Sequence, residues 1–322
     1  MRGASATLVS AASVLQDKVN RDAFAARMVC TWFLLTAIAQ LWLWPLFVAG
    51  LWYAKNVWLT AAFLGWSVWR VMASYFPASL VKTAELDPAG HYLFAVHPHG
   101  IIAISTWLSF VTDATGFSRA FPGVDPRAAT LESNFRLPLL REYLLLHGMC
   151  GAARDSLRRV LTGRPGRSVV LVVGGAAEAL LAAPGSYDLV LRSRKGFVRL
   201  ALETGASLVP VIAFGETDDF HTYIPPPNST ASKVIKAIRR WSRVSTPLCW
   251  GVGLFSGRGM LPLQTPLITV VGKPVPVERV AAPSPDQVDE LHRRYTQELL
   301  QLWAENREKY GKGVRREMTV VQ

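Results

Sequence analysis

The chain has 322 residues, half of them hydrophobic, and 35 Lys and Arg against 23 Asp and Glu give it a net charge of +12. That length supports one large domain or two modest ones with a sizeable core. A pI near 10.0 with a mean hydropathy of +0.22 suits an anionic membrane face or a polyphosphate-bearing ligand. No zinc spacing, recognition-helix pattern or RNP-type aromatic strand is present, which excludes a recognisable nucleic-acid module. Cys30, Cys150 and Cys249 are scattered and odd in number, so neither a disulfide framework nor a metal site is expected, as befits a reducing compartment.

Residues 1–27 form a first segment. Its Ser, Ala and Arg suit a transit peptide, while Asp17 and Asp22 do not; an amphipathic cytosolic helix through Leu15, Val19 and Phe24 is the alternative. There is no cleavable signal pattern and no lipidation motif. Residues 28–76 are apolar apart from Gln40, the Lys55-Asn56 pair and Arg70. One spanning helix needs ~20 apolar residues, so this block predicts two, turning near Pro45 and Lys55-Asn56. Arg2, Lys18, Arg21 and Arg27 precede it and Lys82 follows, which predicts a multi-pass hairpin with both termini in the cytosol.

Residues 77–322 carry a different pattern, short apolar runs alternating with amphipathic stretches. Strands are predicted at Tyr92–Val96, Ser168–Val173, Leu208–Phe214 and Ile268–Val271, with Pro210 suggesting an edge or a bulge. Helices are predicted at Asp155–Leu161, ended by Gly163, and at Lys195–Glu203, with Gly205 at the left-handed cap position. Val288, Leu291, Tyr295, Leu299 and Leu302 recur at helical spacing. This alternation implies an α/β fold, and no internal repeat divides it. A basic helix around Lys233, Lys236, Arg239, Arg240 and Arg243, interleaved with Val234, Ile235, Ile238 and Trp241, suits a membrane surface or a plain exposed face.

The chemistry centres on His97-Pro98-His99-Gly100 at the end of the first predicted strand. Imidazole deprotonates an alcohol near neutral pH, Pro98 favours extended geometry at its neighbour, and Gly100 permits close approach. Two histidines at a strand end suit a structural role equally well, and the residues alone leave both readings open. Arg192, Arg194 and Lys195, followed by Gly196 at a helix N-terminus, suit phosphate groups; a solvated basic face is the other reading. Arg258, between two glycines, is a second anion candidate.

Several blocks resemble one family in its own order: Tyr92–Gly100 (YLFAVHPHG), Arg154-Asp155-Ser156, Val172–Leu180 (VVGGAAEAL), Leu191–Ala201 (LRSRKGFVRLA), Leu208–Glu216 (LVPVIAFGE), Phe255–Gly259 (FSGRG) and Pro266–Pro274 (PLITVVGKP). They resemble the type-2 diacylglycerol acyltransferases and their monoacylglycerol and wax-ester relatives. The resemblance implies a glycerolipid acyltransferase-like catalytic domain. It implies acyl-CoA as co-substrate with no resident cofactor or metal, diacylglycerol or a related lipid alcohol as acceptor, and contact with membrane lipids. It also implies residence in the endoplasmic reticulum membrane and on lipid droplets, and a homo-oligomer is left open. Plant members read Glu-Pro-His-Ser at the tetrapeptide, so the resemblance points to His99 as general base with His97 in support.

The more distant glycerophosphate acyltransferases carry an Asp five positions after their His, where this chain has Ile104. Glu178 is the expected substitute to orient the imidazole. The same enzymes read Glu-Gly-Thr-Arg where this chain has Glu178-Ala179-Leu180, and the missing arginine fits an uncharged acceptor. Monoacylglycerol and fatty-alcohol acceptors are the enzymatic alternatives. A non-catalytic hairpin protein coating lipid droplets is the alternative from another class.

Overall fold

A computed structural model describes residues 67–223 and 247–321, with scattered residues between 24 and 31 and between 225 and 233. Most of the first segment, most of the hairpin expected over 28–76 and most of the basic helix expected around Lys233 lie outside the described residues. Among the described residues no helix is long and apolar enough to cross a membrane. The tail of the hairpin block is described as helix α1, Ser67–Tyr75. Its Trp69 and Met72, and Phe76 just beyond it, are buried in one cluster with Ile104, Leu108, Tyr143 and Leu261.

The fold is α/β, as the alternating pattern implied. Seven strands form the main sheet: β1 Ser79–Lys82, β2 Tyr92–His97, β3 Asp125–Thr130, β4 Cys150–Gly151, β5 Arg167–Val172, β7 Ser207–Phe214 and β10 Ile268–Val271, in the order β1-β10-β7-β2-β5-β3-β4. Four short strands make two separate pairs, β6 Asp188–Leu189 with β11 Thr319–Val320, and β8 His221–Tyr223 with β9 Leu248–Trp250. Within the main sheet only the β10–β7 pairing is antiparallel. All six residues of β2 are buried, as a central parallel strand covered on both faces requires. Alternation sends Leu93 and Ala95 to one face and Phe94 and Val96 to the other. His97 therefore shares the face of Leu93 and Ala95.

Two short helices follow strands of this sheet, α2 Ile104–Thr106 after β2 and α4 Gly175–Ala179 after β5. The face of Leu93 and Ala95 is covered by longer helices, α3 Arg154–Leu161, α5 Gly196–Thr204 and α6 Pro285–Tyr310. Helix α6 starts with a reciprocal cap, in which Gln287 N–H donates to Ser284 Oγ at 3.2 Å and Ser284 N–H donates to Gln287 Oε1 at 2.9 Å. The predicted stripe Val288, Leu291, Tyr295, Leu299 and Leu302 is buried along its length; each aliphatic member contributes about 2 kcal/mol of burial. Gly205 caps α5 in the left-handed region, at φ 76°.

Pro210 decides between the edge and the bulge expected there, in favour of the bulge. It lies on a central strand, between β10 and β2, not at an edge. Ile212 pairs with Val270, but Leu208 pairs with Val275, one residue out of that register. Pro210 sits beside the slip and accepts from Gly272 N–H at 2.9 Å. The missing proline N–H thus falls where β10 has already ended, and no ladder bond is lost.

Candidate active site

Because β2, β5 and β7 run parallel as neighbours, their C-terminal ends open on one edge of the sheet, where α/β folds bind ligands. Each end delivers one polar element. β2 ends in His97-Pro98-His99-Gly100, β5 leads through Gly174 into α4 with Glu178, and β7 leads through Gly215 to Glu216.

Glu178 is buried and bridges two stretches of main chain. Its Oε1 accepts from His99 N–H and its Oε2 from Val190 N–H, both at 2.7 Å. A Cβ at Gly174 would collide with the Glu178 carboxyl group, so this position needs a glycine. The geometry corrects the contact expected of Glu178: it holds the backbone of the His97–Gly100 turn and makes no hydrogen bond to the imidazole. The ring is instead oriented by Gly100, whose carbonyl lies 3.1 Å from His99 Nδ1. A carbonyl only accepts, so Nδ1 carries the proton and Nε2 keeps its lone pair. Burial lowers the pKa of His99, against the hydrogen bond to Gly100, which favours the neutral ring that a base requires.

His97 has another environment. It is fully buried, and its Nε2 lies 2.9 Å from the Tyr295 hydroxyl, which donates to Ala95 O at 3.3 Å. Burial pushes its imidazole down to about 3. This ring is a fixed neutral strut held by Tyr295.

Sequence reasoning gave no role to Glu216, Asp219 or the Tyr295 hydroxyl. Glu216 is fully buried and accepts from Ile104 N–H at 2.7 Å, Ser105 N–H at 2.8 Å and the Ser105 hydroxyl. It caps the short helix α2, so the position where distant relatives carry their Asp is here a main-chain donor to a carboxylate from another strand. Gly100, at φ 60°, lies against it; a Cβ there would stand 2.6 Å from Glu216 Cγ. The available signal was the placement of Gly215-Glu216 at the end of an apolar strand, the same arrangement as Gly174 before Glu178. Asp219 is also fully buried, with neither carboxyl oxygen hydrogen-bonded among the described residues. Burial, then Glu216 and Asp218, raise its pKa well above the carboxylate range. Burial also raises the Glu178 carboxyl to about 7, against the N–H donors of Val190 and His99 and the nearby Arg194 charge.

The diacylglycerol acyltransferase family model matches residues 28–321. The chain belongs to that family. It is 40% identical over 259 residues to diacylglycerol O-acyltransferase 2B of Umbelopsis ramanniana, covering 79% of this chain and 74% of the relative. It is 40% identical to the human diacylglycerol O-acyltransferase 2, covering 76% and 64%. Identity to mouse acyl-CoA wax alcohol acyltransferase 1 is 38%, over 76% and 75%. Among solved structures, the 1-acyl-sn-glycerophosphate acyltransferase PlsC of Thermotoga maritima is similar at TM-score 0.44 and 12% identity, over 86% of this chain and 95% of that one. Family membership makes the chain an acyltransferase and removes the alternative of a non-catalytic coat protein.

The anion candidates of this acyltransferase do not all converge. Arg194 donates to Gly174 O at 3.3 Å, at the strand end that leads to Glu178. Arg192 and Lys195 line a groove of about 620 Å³ with His292, Arg293 and Thr319. Lys195 is paired there with Asp289 at 2.6 Å, and Gly196 begins α5 beside it. Arg258 stands apart, exposed and stacked over Trp250 with 5.7 Å to the ring centroid. Pro98 and Gly100 line a narrow cleft with Glu178, Ser186, Asp188 and Thr217. Among the described residues no group of three or more His, Cys, Asp or Glu is arranged to hold a metal ion.

Proposed function

We propose that the protein transfers a fatty acyl group from acyl-CoA to the free hydroxyl of diacylglycerol, with His99 as general base. The observation that carries the reading is His99 itself, a neutral ring with Nδ1 facing the Gly100 carbonyl at 3.1 Å and Nε2 available. Nε2 takes the acceptor's proton as the hydroxyl oxygen attacks the thioester carbonyl. The tetrahedral intermediate then collapses, the C–S bond breaks, and the CoA thiolate recovers the proton from His99. His99 N–H is committed to Glu178, and the N–H groups of Ile104 and Ser105 to Glu216. An oxyanion donor after Pro98 therefore has to come from between those positions or from elsewhere. Acyl-CoA is the co-substrate, and the groove beside Arg192 and Lys195 suits its phosphates. Arg258 is the second anion contact in this reading.

The acceptor reaches this site from a bilayer. In this reading residues 28–76 form the transmembrane hairpin, both termini face the cytosol, and the protein resides in the endoplasmic reticulum membrane and on lipid droplets. A fatty-alcohol acceptor is the second reading, favoured by the identity to the wax alcohol acyltransferase. Membranes expressing the chain, given labelled acyl-CoA and a panel of acceptors, should form triacylglycerol fastest; a dominant wax ester or monoacylglycerol product would displace diacylglycerol as acceptor. Protease protection should find the Lys55 loop on the lumenal side, and cleavage there from the cytosol would overturn the hairpin.

A further inference from the structure

Strand β11, among the last described residues, lies parallel on β6. Thr319 N–H donates to Tyr187 O at 3.0 Å, Val321 N–H to Leu189 O at 2.9 Å and Arg315 N–H to Gly185 O at 3.0 Å. Side chains reinforce the same seam. The Arg316 guanidinium donates to Ser186 Oγ at 2.7 Å and pairs with the Asp188 carboxylate, while Thr319 Oγ1 donates to Asp188 Oδ1 at 2.6 Å. Ser186 Oγ in turn donates to Asp188 Oδ2 at 3.0 Å, so both oxygens of Asp188 are occupied. Met318 is buried in the core between these contacts.

The strand held in this way continues into Val190, whose N–H is one of the two donors on Glu178; the other is His99 N–H. We infer that the C-terminal strand positions the catalytic turn, with Asp188 and Arg316 as positioning residues for the transfer step. The inference rests on the assignment of His99 as base. Its physical content is a short relay of fixed contacts: β11 sets the height of residues 185–190, Val190 sets one oxygen of Glu178, and the other oxygen sets the main chain of His99. Glu178 performs this task as a carboxylate, because protonation would turn one of its oxygens into a donor facing an N–H.

If the strand shifts, Glu178 loses the Val190 donor that lowers its pKa, and the carboxyl becomes easier to protonate. The low-pH limb of kcat then moves to higher pH. A merely structural seam would not move that limb.

The test uses the full chain in membranes, comparing Arg316→Ala, Asp188→Ala, the double variant and Arg316→Lys, with His99→Ala as reference. Either alanine variant should lower kcat about tenfold and move its low-pH limb upward, as expected of a small misplacement of a catalytic group. The double variant should fall by less than the product of the two single losses, since both break the Arg316–Asp188 pair. Arg316→Lys should recover part of the loss. Unchanged kcat and limb in both single variants, with His99→Ala inactive, would overturn the inference. A raised KM for acyl-CoA with kcat and limb intact would also overturn it and assign the strand to the basic groove alone. Turnover surviving in His99→Ala would strike the base assignment and this inference with it.

Discussion

The carboxyl edge of the sheet and the basic rim around α5 both gather charged residues, yet they hold them in opposite ways. At the edge, Glu178 and Glu216 are buried and each oxygen is met by main-chain N–H donors. At the rim, Arg192, Arg194 and Lys195 are exposed, and Lys195 meets a single exposed carboxylate. Burial makes the edge sensitive to proton activity and to small displacements. Exposure makes the rim sensitive to salt and tolerant of substitution. In the proposed reaction the edge would do the chemistry and the rim would attract and hold an anion.

Removing the proposed base tests the edge most severely. His99→Ala should lower kcat by about a thousandfold, the scale of general-base catalysis, with membrane content of the protein unchanged; turnover near normal would mean that another group takes the proton. Glu178→Gln should cost about 10- to 100-fold in kcat, because the new NH2 faces a main-chain donor. Its pH profile is the sharper readout. Burial places the Glu178 carboxyl near 7, so the working carboxylate is lost as pH falls through that value. The wild-type low-pH limb should lie there and be absent in Glu178→Gln. Both histidines lie in one motif, but Tyr295→Phe should have a modest effect, a few-fold in kcat with about 1–3 kcal/mol lost in stability from an unpaired buried His97. Thermal inactivation and kcat measured together separate these two terms. At the rim, Arg192→Ala with Lys195→Ala should raise KM for acyl-CoA a few-fold with kcat nearly intact, and the effect should shrink as salt rises. A large fall in kcat instead would move these cations into the chemistry.

Much of this arrangement was legible in sequence wherever a strong local pattern met a single physical solution. The buried run Tyr92–His97, the stripe from Val288 to Leu302 and the cap at Gly205 each had one. Glu178 was singled out by the resemblance together with its place after a strand, although its contact with main chain and not with the ring could not be read from spacing. β3, with the sequence DPRAAT, and the two-residue strands β4, β6 and β11 were missed because pairing with distant neighbours creates them. Glu216 stood inside a recognised block without a role, since its partners Ile104 and Ser105 lie on another strand's outlet. Pro210 had suggested an edge or a bulge, and the one-residue slip beside Gly272 is the bulge.

The contact between Gly100 and Glu216 has a consequence for how such a sequence can change. A side chain at position 100 would enter the space of Glu216 and would also have to adopt a φ of 60°, a conformation that L-residues other than glycine disfavour. Positions 100 and 216 are therefore coupled: a Cβ at the first would meet both the side chain and the carbonyl oxygen of the second, so a larger residue requires the Glu216 loop to withdraw. A mutational library sampling both positions together should recover active pairs that neither single-site library contains.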